Sequence, residues 1–397
     1  MLLTKEEQEM LKGKYGNAVK KSMEILVALG EIYGAEKLIR VSSVQVAGVS
    51  YDNLGESGLE YLSNLSKDGR VKVLTTLNPA GMDLENYEAL GISEDFAIKQ
   101  KMVIDSFAKM GVITTCTCTP YLIGNTPNFN QHIAWSESSA VAYANSVLGA
   151  RTNREGGPSA LASALTGRTP LYGLHLDENR IAKIKIIVKT QIKGTQNFGA
   201  LGKVIGEKIK STPCYIIGIN EASMEELKSF SASIATYGGA GIFHMENITP
   251  NKTVIPLEEL IVTKKEIEKA LNEMNMGDCE VDFVSVGCPH ASIAEIAKLA
   301  DLLNGKKVKK EFWITTARPT KKIADMSGYS KIIETAGAKF ASDTCCVVAP
   351  IKGRFKCLAT DSAKGCYYAY SKNQSKIKIM SVENLVKEAC KEPSVVK

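Results

Sequence analysis

No stretch of about 18 apolar residues occurs in the chain, so no membrane-spanning helix is expected. The opening MLLTKEEQEMLKG is charged within five residues and lacks the hydrophobic core of a signal peptide. A cytoplasmic protein without a membrane partner is the expectation. Aromatic residues make up only 7% of the sequence, and no stripe alternates them with basic residues. Nucleic acid is therefore not an expected partner. No CxxC or HxxxH spacing offers a local zinc site. No internal repeat or low-complexity tract is present. The glycine cluster Gly238–Gly241 precedes a predicted strand rather than following one, so it is no dinucleotide fingerprint.

What is plentiful is apolar residues, at 44% of 397, enough for a large buried core in one unit or two to three lobes. The net charge of +6 is spread out, and pairs such as Lys264-Lys265 and Lys321-Lys322 read as solvated helix faces. Ten cysteines in a chain this long suit a reduced compartment, with the thiols buried or bound to metal.

The capping box Thr4…Glu7 opens a long helix to about Leu29. VSSVQVA (41–47), VKVLTTL (71–77) and VITTCTC (112–118) read as strands, with a helix over 93–110 and another across SESSAVAYANSVLG. LYGLHL, KIKIIVKT and CYIIGI read as further strands, with helices over 201–210 and 223–237. From Thr263 onward, helices and the strands VDFVSVG, EFWITTA and KFASDT alternate, including one helix across 322–336. This alternation predicts an α/β fold with parallel sheets covered by helices. A boundary between lobes of about 1–170 and 171–397 is expected, without a flexible linker.

Three cysteines stand out. Cys118, Cys288 and Cys345 each close a predicted strand and are followed by turn residues. Open parallel sheets bind ligands outside the carboxyl ends of their strands. Three distant thiolates meeting there would suit an iron–sulfur cluster with one iron open to substrate. On the residues alone, three separate buried thiols serve equally well, and zinc is a further alternative. Cys116 and Cys118 would share one face of a strand, whereas Cys346 should face away from Cys345. Cys214, Cys279 and Cys390 read as buried apolar thiols.

The fragments GVSYDNLGESG, TTLNPAGMD, CTPYLIGN, WSESSAVAYANSVLGARTNREGGPSAL, FGALG, VGCPH, TTARPT and DTCCVV, spanning about 41–348, resemble the large subunit of the aconitase X family. The resemblance implies an aconitase-like, multi-lobe architecture with a 4Fe–4S cluster at strand carboxyl ends, held by Cys118, Cys288 and Cys345. It implies substrate loops at Gly48-Val49-Ser50 and Asn78-Pro79, with Glu137 and Ser138 lining the cluster site. It also implies a hydro-lyase. Archaeal members of this length are similar to dehydratases of mevalonate 5-phosphate, and bacterial relatives dehydrate cis-3-hydroxyproline. The family's small swivelling domain, with its serine-rich loop, is not recognised here. The implied partner is a separate small subunit carrying the base. A non-catalytic iron–sulfur scaffold is the reading from another class.

The chemistry fits these residues. Loss of water from a β-hydroxy acid needs a base for the carbon-bound proton and an acid for the departing hydroxyl. A cluster with an open iron supplies the acid. Backbone N–H groups at the GVS loop and at the start of the SESSAV helix suit a carboxylate or phosphate. Arg151, Arg154 and Arg168 suit the remote anionic end, or equally a structural role in a polar loop. His290 is a tempting base, but beside a metal ligand a histidine more often orients that ligand.

Overall fold

The computed structural model describes residues 1–392. Apart from a short antiparallel pair, Leu38–Arg40 with Arg168–Pro170, all its sheets are parallel. A three-stranded sheet has the order Leu74–Leu77, Ser43–Val46, Ala134–Trp135. A four-stranded sheet runs His244–Met245, Cys214–Ile217, Ile184–Val188, Glu259–Val262. A five-stranded sheet runs Lys339–Ser342, Glu311–Thr316, Phe283–Val286, Cys357–Thr360, Lys376–Ile379. Parallel pairing requires crossovers, and helices supply them. The expected α/β architecture with helix-covered parallel sheets is what the chain adopts.

In the five-stranded sheet, the first strand in the chain, Phe283–Val286, lies in the middle. The next two strands add to one side of it and the last two to the other. The order therefore reverses between Phe283–Val286 and Cys357–Thr360. Crossover helices leave a crevice at such a point, beyond the strand carboxyl ends. Gly287-Cys288 leaves one of these strands and Asp361-Ser362 the other.

Glycine sets the packing of the middle module. Helix Thr195–Ile209 lies against helix Met224–Gly238 so closely that a Cβ on Gly206 would stand 2.9 Å from the Gly238 nitrogen. A Cβ on Gly202 would stand 2.7 Å from the Ser233 Cβ. The FGALG fragment thus serves helix packing.

Several elements differ from the sequence reading. The first helix is two, Lys5–Leu11 and Asn17–Ile32, because Gly13 and Gly16 between them take φ of 83° and 102°. The helix across 322–336 is likewise two, Arg318–Met326 and Tyr329–Ala336, broken at left-handed Gly328. LYGLHL contains a 3₁₀ turn, Gly173–His175. VITTCTC forms no strand beyond an isolated bridge of Ile113 with Thr76, although the Thr117 N–H still donates to the Leu77 carbonyl at 2.9 Å. Cys116 there has φ of 43°, which breaks the strand alternation assumed for Cys116 and Cys118. Cys279 is bonded to Cys357, with S–S 2.18 Å, and is not an isolated buried thiol.

Candidate active site

The crevice beside the five-stranded sheet faces loops of the three-stranded sheet, and the three cysteines meet between them. Cys118 and Cys345 are buried, while Cys288 keeps part of its surface open. A narrow cleft lined by Thr195, Glu225, Glu295 and Asp361 reaches Cys288. Cys345 interacts electrostatically with both Cys118 and Cys288, and Lys364 acts on all three. Burial pushes all three thiols up, Cys288 to about 12. Among the described residues, no group of three His, Cys, Asp or Glu side chains is poised as it stands around a single metal ion. The donor set fits an iron–sulfur cluster: three soft ligands from separate loops, in one buried neighbourhood that also holds a cation.

His290 ties these loops together. Its backbone N–H donates to the Cys118 sulfur at 3.2 Å. Its Nδ1 lies 2.9 Å from the Thr117 hydroxyl, and its Nε2 lies 3.0 Å from the Thr344 carbonyl, next to Cys345. A carbonyl only accepts, so Nε2 carries the proton and Nδ1 accepts from Thr117. Burial lowers the imidazole to about 4. Both nitrogens are engaged, so the ring orients the cysteine loops and has no free lone pair for proton abstraction. Lys228 extends this frame: its ammonium donates to the His290 carbonyl at 2.9 Å and pairs with Glu295.

Glu137 caps helix Ser138–Tyr143 and is buried. Its carboxylate pairs with Lys364 of helix Ala363–Ser371. It also accepts from the Asn78 amide at 2.8 Å and from the Ser139 hydroxyl at 3.0 Å. Burial alone would push this carboxyl up. The Lys364 charge and hydrogen bond, with those from Asn78 and Ser139, outweigh that and hold it at about 2. The same pairing raises Lys364 against the opposing effect of burial. A carboxylate and an ammonium therefore sit charged among the thiols. The Asn78 Oδ1 is buried without a protein partner.

The other predicted site residues divide into two groups. Gly48, with φ of 78°, has open space where a Cβ would project. Val49, Ser50 and Pro79 are buried, and Ser138 is half-buried beside Glu137. The Ser50 hydroxyl donates to the Val348 carbonyl at 3.1 Å, three residues beyond Cys345. The arginines are engaged elsewhere. Arg168 binds Glu6 at 2.6 Å and Glu7 at 2.9 Å. Arg151 pairs with Asp177, and Arg154 donates to the Gly239 carbonyl at 2.9 Å.

Sequence reasoning missed Lys364. Its signal was the strand CLAT followed by Ser362 as helix cap, one more βα unit beyond the last one recognised. It also missed Arg318, in TTARPT. This guanidinium bridges Asp83 at 2.5 Å and Asp343 at 2.5 Å, joining the loop after Asn78-Pro79 to the Cys345 loop.

Comparison with known proteins gives the family. Residues 1–178, 182–272 and 281–391 match the aconitase X first, second and third domains. The chain is 46% identical to the phosphomevalonate dehydratase large subunit of Methanocaldococcus jannaschii, over 98% of this chain and 100% of that one. It is 30% identical to the cis-3-hydroxy-L-proline dehydratase of Hypocrea jecorina, over 98% of this chain but 68% of that one. The holo-form crystal structure of Thermococcus kodakaraensis aconitase X superposes with a TM-score of 0.92 at 43% identity, covering 98% of this chain and 100% of that one. The chain belongs to the aconitase X family.

Proposed function

We propose that this chain is the large subunit of an iron–sulfur dehydratase that removes water from mevalonate 5-phosphate, giving trans-anhydromevalonate 5-phosphate in an archaeal-type route to isoprenoids. The observation that carries the reading is the buried meeting of Cys118, Cys288 and Cys345 beside the Glu137–Lys364 pair. Identity to phosphomevalonate dehydratase large subunits over their whole length supports the substrate. Hydroxyproline dehydratases are less similar and about half as long again. They support the alternative substrate more weakly. The names of the nearer relatives support a small-subunit partner.

In this reading Cys118, Cys288 and Cys345 hold a 4Fe–4S cluster. When bound, the cluster supplies a Lewis-acidic iron for the departing hydroxyl. The chain's own residues position the substrate. Asn78 presents its unpartnered carbonyl oxygen to a substrate hydroxyl. Gly48-Val49-Ser50 and Pro79 shape the adjoining wall. Glu137 stays ionised and fixes the Asn78 amide, so its orientation is set before substrate arrives. Lys364 offsets the negative charge of thiolates and substrate. His290 is not free to take the carbon-bound proton, and a base on the small subunit, as the family resemblance implies, would take it.

The test is turnover of mevalonate 5-phosphate by anaerobically reconstituted protein. The two-subunit enzyme should dehydrate it, and the large subunit alone should not. Full turnover by the lone chain would place the base here and overturn the division of labour. A chromophore without turnover in the complete complex would favour a scaffold role.

A further inference from the structure

Helix Glu94–Lys109 turns an apolar face toward the three-stranded sheet through Ala97, Val103, Ile104 and Phe107. Two buried residues of this helix are polar: Ser106, whose hydroxyl donates to the Met102 carbonyl of its own helix at 2.9 Å, and Gln100. Gln100 is fully buried, where a glutamine is costly unless its amide is satisfied. Its Oε1 accepts from the Tyr51 N–H at 3.0 Å and from the Gly81 N–H at 2.9 Å. Its Nε2 donates to the Val49 carbonyl at 3.0 Å. One side chain therefore binds the backbone of both candidate substrate loops, on either side of Ser50 and just beyond Asn78-Pro79.

The contact is tight. A Cβ on Gly81 would stand 2.5 Å from the Ser50 hydroxyl and 2.9 Å from the Gln100 Oε1. The first loop has its own freedom: Gly48 has φ of 78° and Gly55, at a kink in helix Tyr51–Leu65, has φ of 60°, both with open space around them. An apolar cavity of about 220 Å³ lies beside this segment, lined in part by Gly48, Asn53, Leu54 and Leu62. A segment between two glycines, next to a void, needs a fixed point if it is to present one geometry. Gln100 is that point.

We propose that Gln100 is a positioning residue for the dehydration. By binding Val49, Tyr51 and Gly81 together it sets the spacing between the Gly48–Ser50 and Asn78–Pro79 loops. This rests on the reading of those loops as substrate-binding. Gln100 lies outside the cysteine loops, and its three bonds all go to the loops' backbone.

The test uses the cluster-loaded two-subunit enzyme, with mevalonate 5-phosphate as the probe. Gln100→Leu removes the three bonds at similar size. Gly81→Ala forces the loops apart from the opposite side. Gln100→Glu keeps the acceptor for Tyr51 and Gly81; buried and therefore protonated, its carboxyl meets the Val49 carbonyl with a single O–H in place of the amide donor. In Gln100→Leu and Gly81→Ala, kcat/KM should fall about 10–100-fold, the effect of misplacing a substrate by a fraction of an ångström to about one. KM should carry much of the loss, cluster absorbance should stay at wild-type intensity, and Gln100→Glu should lie between. If Gln100→Leu does not fold, Gly81→Ala and Gln100→Glu decide. Wild-type kinetics in these variants beside a defective Asn78→Ala would overturn the proposal and leave the substrate loops standing. Wild-type kinetics in Asn78→Ala as well would overturn both. A loss that tracks loss of the cluster would also overturn it.

Discussion

The two modules that enclose the site build it by opposite means. The five-stranded sheet has strands of four to six residues, and its cysteines arrive just past their carboxyl ends: Cys288 two residues after Val286, Cys345 three after Ser342. The smaller three-stranded sheet, like the larger one with its buried Ser285, Thr315, Thr316, Ser342 and Thr360, has polar residues inside: Ser43, Gln45, Thr75 and Thr76. Its cysteine loop is held by side chains. The Gln45 amide donates to the Thr117 carbonyl at 2.9 Å, and the Asn125 amide to the Thr76 hydroxyl at 3.0 Å. Ladder bonds fix a backbone and leave side chains for packing. Side-chain bonds fix an irregular backbone and leave N–H and C=O groups free to meet a ligand. The first module thus brings two of the candidate metal ligands from strand ends, and the second brings Cys118 and the candidate substrate loops on irregular backbone.

The largest expected effect tests whether both modules supply ligands. Cys118→Ala, Cys288→Ala and Cys345→Ala should each remove the brown chromophore, or leave it oxygen-fragile, and abolish turnover. Cys214→Ala, in a buried strand of the middle module, should leave both intact. Visible absorbance and iron content decide it. A full chromophore in Cys118→Ala would confine the metal site to the five-stranded sheet and break the comparison.

The next effect concerns the bridge between the modules. Lys364→Met leaves the Glu137 carboxylate buried without its cation, at a cost of about 3–5 kcal/mol. Adding Glu137→Gln should recover most of that loss, because the stranded charge is gone, but not the activity. Unfolding in denaturant gives the stability and steady-state kinetics the rest. The pH dependence has a definite sign. Glu137 is depressed to about 2 in the fold, against an ordinary 4.5, so its contribution is present above 4.5 and lost as pH falls toward 2.

How much was legible follows the same division. Strand–helix alternation gave the five-stranded sheet as far as Cys345, because period-2 apolar runs and serine caps such as Ser292 are local signals. The last two βα units, and Lys364 with them, were legible in the same way but were not recognised. Around Cys118 alternation misled: TTCTC has a strand's composition, yet left-handed Cys116 turns the chain out of any ladder. Nothing local shows that Thr117 and Thr344 both reach His290, since those contacts close across 173 and 54 residues. Strand-end placement pointed to Cys118, and the resemblance of long fragments gave it, with Asn78, a role in the site. Gln100 was visible as a polar residue on an apolar helix face, but its partners were not.

Asn78→Ala sharpens the substrate side of the comparison at intermediate size. It removes the amide that meets Glu137 and the unpartnered oxygen, and touches no thiolate. Cluster absorbance should be unchanged, while kcat/KM for mevalonate 5-phosphate falls about 10–10³-fold, the range for losing a substrate hydrogen bond together with the charged bond to Glu137 that orients it. Wild-type kinetics would make the loop a structural turn.

The smallest effect on catalysis is expected at Arg168, which sequence reasoning offered as an anion holder. Its guanidinium is buried against Glu7, itself buried, and also reaches Glu6 and the Thr166 carbonyl. These partners belong to helix Lys5–Leu11 and the end of helix Gly157–Thr166, not to the cysteine crevice. A guanidinium holding a substrate phosphate would have to release both carboxylates, leaving Glu7 buried and uncompensated. The geometry therefore assigns Arg168 to fastening the N-terminal helix. Arg168→Ala should lower stability by about 3–5 kcal/mol, as expected for breaking a buried ion pair. It should leave kcat/KM within about twofold of wild type once the protein is folded and loaded, because no transition-state contact is lost. Thermal unfolding and steady-state kinetics on one preparation separate the two. A fall in kcat/KM beyond about tenfold with stability unchanged would return Arg168 to the substrate and extend the binding surface of the three-stranded module toward the N-terminal helix.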